Sequence, residues 1–319
     1  MRALLILLPM LMTTAGANAL PLPTAPMAIE PHSENASGQT HDLKLARDAY
    51  DRMTVSVRIG DSGPYRFLID TGAERTVISR QLAQQLGLVA GARARLHSVA
   101  GASDVATVDI PALQVSARRF DVAGAPTLES INIGADGMLG VDSLAMSQIL
   151  FDFRRGVMGI TPSRGARMDD PDTIVVEARR RHGRLMFTQA DVDGRGTVVV
   201  IDTGSQITIG NPELRRRLLG RRPVGEMVEI YTVVGEKITA EIYSVRTLGL
   251  GGVTLKDMNI AFIDSPVFRQ LELDGRPALL LGMNALRGFD KVSIDFATRR
   301  VHFVLPGSSM SNHIEFAAN

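Results

Sequence analysis

Two stretches of this chain repeat each other in order, and that order constrains the fold more than any other feature. Residues 67–73 (Phe-Leu-Ile-Asp-Thr-Gly-Ala) and 200–205 (Val-Ile-Asp-Thr-Gly-Ser) are each an apolar run closed by Asp-Thr-Gly. Upstream of the first, residues 55–59 alternate as a strand, residues 60–63 supply turn residues, and residues 65–69 return as a second strand. Upstream of the second, residues 185–188, 193–196 and 197–201 repeat that plan. Asp70 and Asp202 therefore each end the second strand of a hairpin.

The correspondence continues downstream. Residues 76–79 lead into 80–86, whose leucines have helical spacing and stop at Gly87. Residues 207–209 lead through Asn211 and Pro212 into 213–219, which stop at Gly220. Residues 96–101 (Leu-His-Ser-Val-Ala-Gly) match 230–235 (Ile-Tyr-Thr-Val-Val-Gly), and a glycine in such a β-rich stretch suits a hairpin tip that bends close to a ligand. Residues 138–144 and 280–286 share the form apolar-apolar-Gly-x-Asp/Asn-x-Leu, and a strand pair follows each. Five features in one order establish an internal duplication. If a pseudo-twofold axis relates the copies, the two aspartates meet at it, and carboxylates about 3 Å apart cannot both ionise.

At 319 residues the chain suits two domains of roughly 100–150 residues each. A net charge of +1 favours neither nucleic acid nor an anionic membrane as a partner. Arginine clusters at 179–181 and 215–217 are short enough to read as solvated faces. Met1-Arg2, the apolar stretch 3–12 and the small residues ending Ala17-Asn18-Ala19 form the pattern of a secretory signal cut after Ala19. As an uncleaved anchor, the apolar run falls short of the roughly 20 residues that span a bilayer. The chain has no cysteine, so the lobes must hold by burial alone, and a secreted chain of this kind suggests a bacterial periplasm. The domain reading is signal 1–19, flexible leader or propeptide 20–44, first lobe 45–161, linker 162–172, second lobe 173–305 and tail 306–319. Residues 191–194 lack the later ligand positions of a calcium loop and read as a hairpin turn. His97, His182 and His302 have no metal-ligand spacing.

Residues 45–305 resemble the aspartic peptidase family in its retropepsin-like branch, through the Asp-Thr-Gly-Ala/Ser motif after a hairpin, the glycine-bearing flap and the apolar-apolar-Gly element of each half. The resemblance implies an all-β, bilobal acid-protease fold: two pseudo-twofold-related, β-barrel-like lobes with short helices, forming an intrachain pseudo-dimer in a monomer. It implies an aspartic-type endopeptidase acting on peptide or protein substrates without cofactor or metal, and binding neither nucleic acid nor, after signal removal, membrane. Carried over, Asp70 and Asp202 are the catalytic dyad, and Thr71 and Thr203 hydrogen-bond across the axis beneath it. Gly72 and Gly204 let backbone amides approach the carboxylates, and Ala73 and Ser205 complete the motifs. Val99, Ala100 and Gly101 form one flap tip over the substrate, and Val233, Val234 and Gly235 the other. His97 stands near the first tip where Tyr231 stands in the second.

The chemistry follows from a shared proton. The ionised aspartate takes a proton from a bridging water while the protonated one donates to the scissile carbonyl oxygen. Ser205, opposite Ala73 in the repeat, carries a hydroxyl able to bond a carboxylate, which predicts Asp202 as the more acidic member. The competing reading is a secreted peptide-binding or scaffold module on the same fold, since fold does not dictate function. Retention of both aspartates, both threonines and both glycines favours turnover.

Overall fold

The alternating strands of each half fold as the hairpins their pattern predicts. In the first half Met53–Ile59 pairs antiparallel with Ser62–Ile69, with Val55 opposite Phe67. In the second, Arg184–Val192 pairs with Arg195–Ile201, with Phe187 opposite Val199. The second hairpin turns through Asp193 and Gly194 at φ of 47° and 74°, the positive values that a tight two-residue turn demands. The computed structural model describes residues 53–163, 173–181, 184–220 and 225–306, with short strands at Leu5–Leu7, Pro9–Leu11, Asp42–Lys44, Ala46–Arg47 and His313–Glu315.

Beyond each aspartate the chain enters Val77–Ser79 or Thr208–Gly210, and a later strand, Gly137–Leu139 or Ala278–Leu281, wedges between it and the hairpin. The wedge runs parallel to the aspartate-bearing strand and antiparallel to its other neighbour. Its terminal carbonyl, Leu139 or Leu281, accepts the amide of Asp70 or Asp202 at 3.0 Å in both halves. Ala278–Leu281 is buried along its whole length and is accordingly a continuous apolar run.

The glycine that follows each wedge is there for lack of room. A Cβ on Gly140 would sit 2.5 Å from the Arg75 carbonyl oxygen, and one on Gly282 would sit 2.5 Å from that of Ile207. The Asp/Asn two positions on closes a clasp. Asp142 Oδ1 accepts from the Thr76 amide and hydroxyl at 2.9 and 2.8 Å, and Asn284 Oδ1 accepts from those of Thr208 at 2.8 Å each. Side chains cap the helix that follows each motif loop. Ser79 accepts from the Leu82 amide ahead of Arg80–Gln85, and Asn211 accepts from the Leu214 amide ahead of Pro212–Leu219.

The lobes join through a six-stranded sheet in the order 173–177, 300–304, 291–295, 147–152, 157–162, 42–44. Its central seam pairs Ser147–Asp152 of one lobe antiparallel with Lys291–Asp295 of the other, Leu150 opposite Ser293. Asp42–Lys44, at the end of the segment expected as leader, forms one edge by pairing with Val157–Gly159. Packed on this sheet is a core continuous between the lobes, in which Phe303 lies 4.6 Å from Phe289 and 6.2 Å from Phe187, centroid to centroid. The chain is thus all-β and bilobal, as expected. The signal cut after Ala19, the linker residues 164–172 and most of the tail lie outside the described residues. No helix among the described residues is long and apolar enough to cross a membrane.

Because Phe303 ties the shared sheet to the second lobe's hairpin, Phe303→Ala is expected to cost about 3–5 kcal/mol. Urea denaturation checks this; a loss below about 1 kcal/mol would mean that Phe303 does not tie that hairpin to the sheet.

Candidate active site

The parallel wedges bring the two Asp-Thr-Gly loops to the boundary between the lobes, where Asp70 and Asp202 are both buried. Each carboxylate accepts the amide two residues on: Gly72 N donates to Asp70 Oδ1 at 2.8 Å, and Gly204 N donates to Asp202 Oδ1 at 3.1 Å. The glycines also face across the boundary. A Cβ on Gly72 would lie 2.5 Å from Asp202 Oδ1, and one on Gly204 would lie 2.3 Å from the Asp70 carboxyl carbon. Any side chain here would push into the opposite acid.

Beneath the acids the threonines cross. Thr71 N donates to Thr203 Oγ1 and Thr203 N to Thr71 Oγ1, each at 3.1 Å. Thr71 Oγ1 donates to the Ile201 carbonyl at 3.0 Å, and Thr203 Oγ1 to that of Ile69 at 2.8 Å. Each hydroxyl thus accepts and donates across the interface, so four buried bonds weld the two loops. Ala73 and Ser205 lie buried behind the loops, their carbonyls accepting the amides of Val141 and Met283 at 2.9 and 2.8 Å.

Burial pushes the Asp202 carboxyl well above the usual carboxylate range, and the charge of Asp70 adds to the push. The charge of Arg184 and the amides of Gly204 and Ser205 oppose it. Asp202 Oδ2 is buried and bonds to no described group. The expectation that the Ser205 hydroxyl bonds a carboxylate is corrected here. That hydroxyl donates to the Ile207 carbonyl at 2.7 Å, so only the Ser205 amide acts on the carboxylate, and burial outweighs it.

Two hairpins stand where the flaps were expected. Ala94–Ser98 and Ala102–Val105 form the first, with Val99, Ala100 and Gly101 at its tip. Glu226–Thr232 and Lys237–Leu250 form the second, with Val233, Val234 and Gly235 at its tip and Gly235 at φ +84°. Ser98 Oγ accepts the amides of Ala100 and Gly101 at 3.2 Å, and Thr232 Oγ1 accepts that of Glu236 at 3.1 Å, so a hydroxyl pins each turn. The tip valines cross over. Val99 packs into the second lobe's cluster with Phe268 and Leu271, and Val233 packs into the first lobe's with Val77 and Ile133. Tyr231 lies under the Lys237 ammonium, 5.3 Å from ring centroid to nitrogen. Burial, helped by Arg95, lowers the His97 pKa below its ordinary value.

Sequence reasoning missed Arg184, the bulkiest of the fully buried side chains, only 1% exposed. Its Nε donates to the Gly72 carbonyl at 2.7 Å, and Nη1 lies 4.0 Å from Glu74 Oε1. The one signal was a charge placed directly before the apolar run Leu185-Met186-Phe187.

No significant match is found among curated proteins. Among solved structures, a retropepsin-like aspartic protease from Rickettsia conorii matches at 20% identity, covering 42% of this chain and 90% of that one, with a TM-score of 0.32. The family described as Aspartyl protease matches residues 55–143 and 188–285. Those two blocks take up more than half of the chain, and each spans one hairpin, its Asp-Thr-Gly loop, its flap and its apolar-apolar-Gly element. By that doubled match the chain belongs to the aspartyl protease family, with one family unit in each lobe.

Proposed function

We propose that this protein is an aspartic endopeptidase in which Asp70 and Asp202 share one proton and activate a single water against a peptide carbonyl. The observation that carries this reading is the reciprocal fit of each motif glycine against the opposite carboxyl, which leaves two acids together in a buried, water-poor site. Two like charges so placed titrate as a unit, with one proton held between them across the acid side of neutrality. The ionised member removes a proton from the attacking water while the protonated member donates to the carbonyl oxygen. As the tetrahedral intermediate collapses, the newly protonated aspartate gives its proton to the departing amine while the other takes one from a hydroxyl of the intermediate, so the dyad again holds a single proton.

The flaps suit an extended polypeptide as substrate. Leu5–Leu7 of the chain itself runs parallel to Leu96–Ser98, and Pro9–Leu11 runs antiparallel to Ile230–Thr232, so an extended segment meets both flap strands. A substrate held in the same way would gain its affinity from backbone hydrogen bonds. From the signal pattern of residues 1–19 we further propose that this activity lies outside the cytoplasm, in a periplasm.

Incubating the protein with a mixed peptide library between about pH 4 and 8 tests the reading. Wild type is expected to yield products, and Asp202→Asn to lower the rate by roughly a thousandfold. Silence from both with intact peptide binding would instead identify a non-catalytic binding module. Ser205→Ala is expected to leave the acid limb of the pH–rate profile in place, because its hydroxyl bonds Ile207; a move of that limb would return the hydroxyl to the carboxylate.

Stability gives a second check. A raised Asp202 pKa means that the folded protein keeps a proton which the unfolded chain gives up, so this contribution is whole below the ordinary carboxylate range. It is lost as pH rises through the raised value. Asp202→Asn removes the titration, so its melting temperature should exceed that of wild type by a margin that widens from pH 4 to pH 8, by about 2–4 °C per kcal/mol. A margin independent of pH would show that Asp202 titrates normally.

A further inference from the structure

Arg184 has no part in the proton transfers above, yet it is almost wholly buried beside the dyad. Burying a guanidinium is costly unless every part of it is matched, and this one is matched unevenly. Nε bonds the Gly72 carbonyl at 2.7 Å, whereas Nη1 and Nη2 hydrogen-bond to no described group. The nearest carboxylate, Glu74, stands 4.0 Å off. Arg184 belongs to the second lobe, while Gly72 and Glu74 lie two and four residues beyond Asp70 in the first. The side chain therefore bridges the lobes at the level of the acids.

We infer that Arg184 is a positioning residue that clamps the first Asp-Thr-Gly loop from the opposite lobe and, through its charge, sets the pH range in which the dyad holds a single proton. The inference rests on the proposed role of Asp70 and Asp202. A cation in a poorly screening interior favours the ionised form of every acid near it. The fields of Glu74, Asp202 and Asp70, in that order, act back on the guanidinium and oppose the effect of its burial. Arg75, next along the loop, turns away to the carbonyl of Ala123 and the carboxylate of Asp142, so it does not serve the dyad. The second lobe carries neutral Gln206 at the position matching Glu74. Arg52 holds the sequence position matching Arg184 and lies outside the described residues. Glu74 thus partly offsets the field of Arg184 on one side only, a differentiation open to a fused pair of lobes and closed to two identical chains.

The test is the carboxyl titration of the dyad, followed by 13C NMR on aspartate-labelled protein and read beside the pH dependence of kcat. Arg184→Met should raise both apparent pKa values by about one unit, since the cation that favours the ionised acids is then lost. Glu74→Gln should move them the other way, because the cation is unmasked. Arg184→Lys keeps the charge without the Nε bond, so it should restore the titration while kcat stays low. Opposite shifts in the first two variants support the proposal. Shifts of the same sign, or none beyond about 0.2 units, overturn it. Should Arg184→Met fail to fold, Arg184→Gln decides by whether it raises both values. The titration needs no turnover, so a wild type that cleaves nothing would sink the peptidase reading and leave this coupling measurable.

Discussion

Two carboxylic acids buried side by side repel each other as soon as both ionise, and the structure must hold them together against that repulsion. Backbone rather than side-chain packing does most of the holding. Each aspartate amide is fixed to the last carbonyl of a wedged strand, and each carboxylate to the amide of its own glycine. The crossed threonines then lock one loop to the other with four buried bonds. Losing any one of them strands a polar group away from water, at about 1–3 kcal/mol. That penalty makes the dyad geometry stiff, and stiffness keeps the acids close enough to share a proton.

Duplication is the simplest way to build such a centre, because one lobe's solution serves twice. Asp142 and Asn284 clasp equivalent threonines, and Gly140 and Gly282 clear equivalent carbonyls. Once both lobes sit in one chain, each position is free to diverge. The divergence gathers near the acids: Glu74 faces the role of Gln206, Ala73 that of Ser205, and His97 that of Tyr231. The six-stranded sheet beneath tolerates this because its seam, Ser147–Asp152 against Lys291–Asp295, is held by backbone pairing and not by the residues that diverge.

Much of the fold was legible in the sequence because its signals are local. The hairpin turns and the Asn211-Pro212 opening of a helix each declare themselves within a few residues. The pairing of Asp70 with Asp202 was legible for another reason: a repeat implies an axis, and an axis brings like residues together. Contacts between unlike parts of the two lobes left no such trace. Val99 and Val233 read as flap tips, but their burial in the opposite lobe depends on how the lobes dock. Ser205 was assigned to a carboxylate because its hydroxyl is near one in sequence, yet the turn offered a closer carbonyl at Ile207. Arg184 was overlooked because a charge beginning a strand is ordinarily solvated, and only tertiary packing buries it.

The central claim is that two acids, one from each lobe, act as a single unit. Comparing peptide-hydrolysis rates of Asp70→Asn, Asp202→Asn and the double variant tests it most directly. If the pair is one catalytic unit, each single change should remove nearly as much activity as both together. Losses that add, with the double variant falling far below either single one, would mean that the two aspartates work independently and would contradict the account.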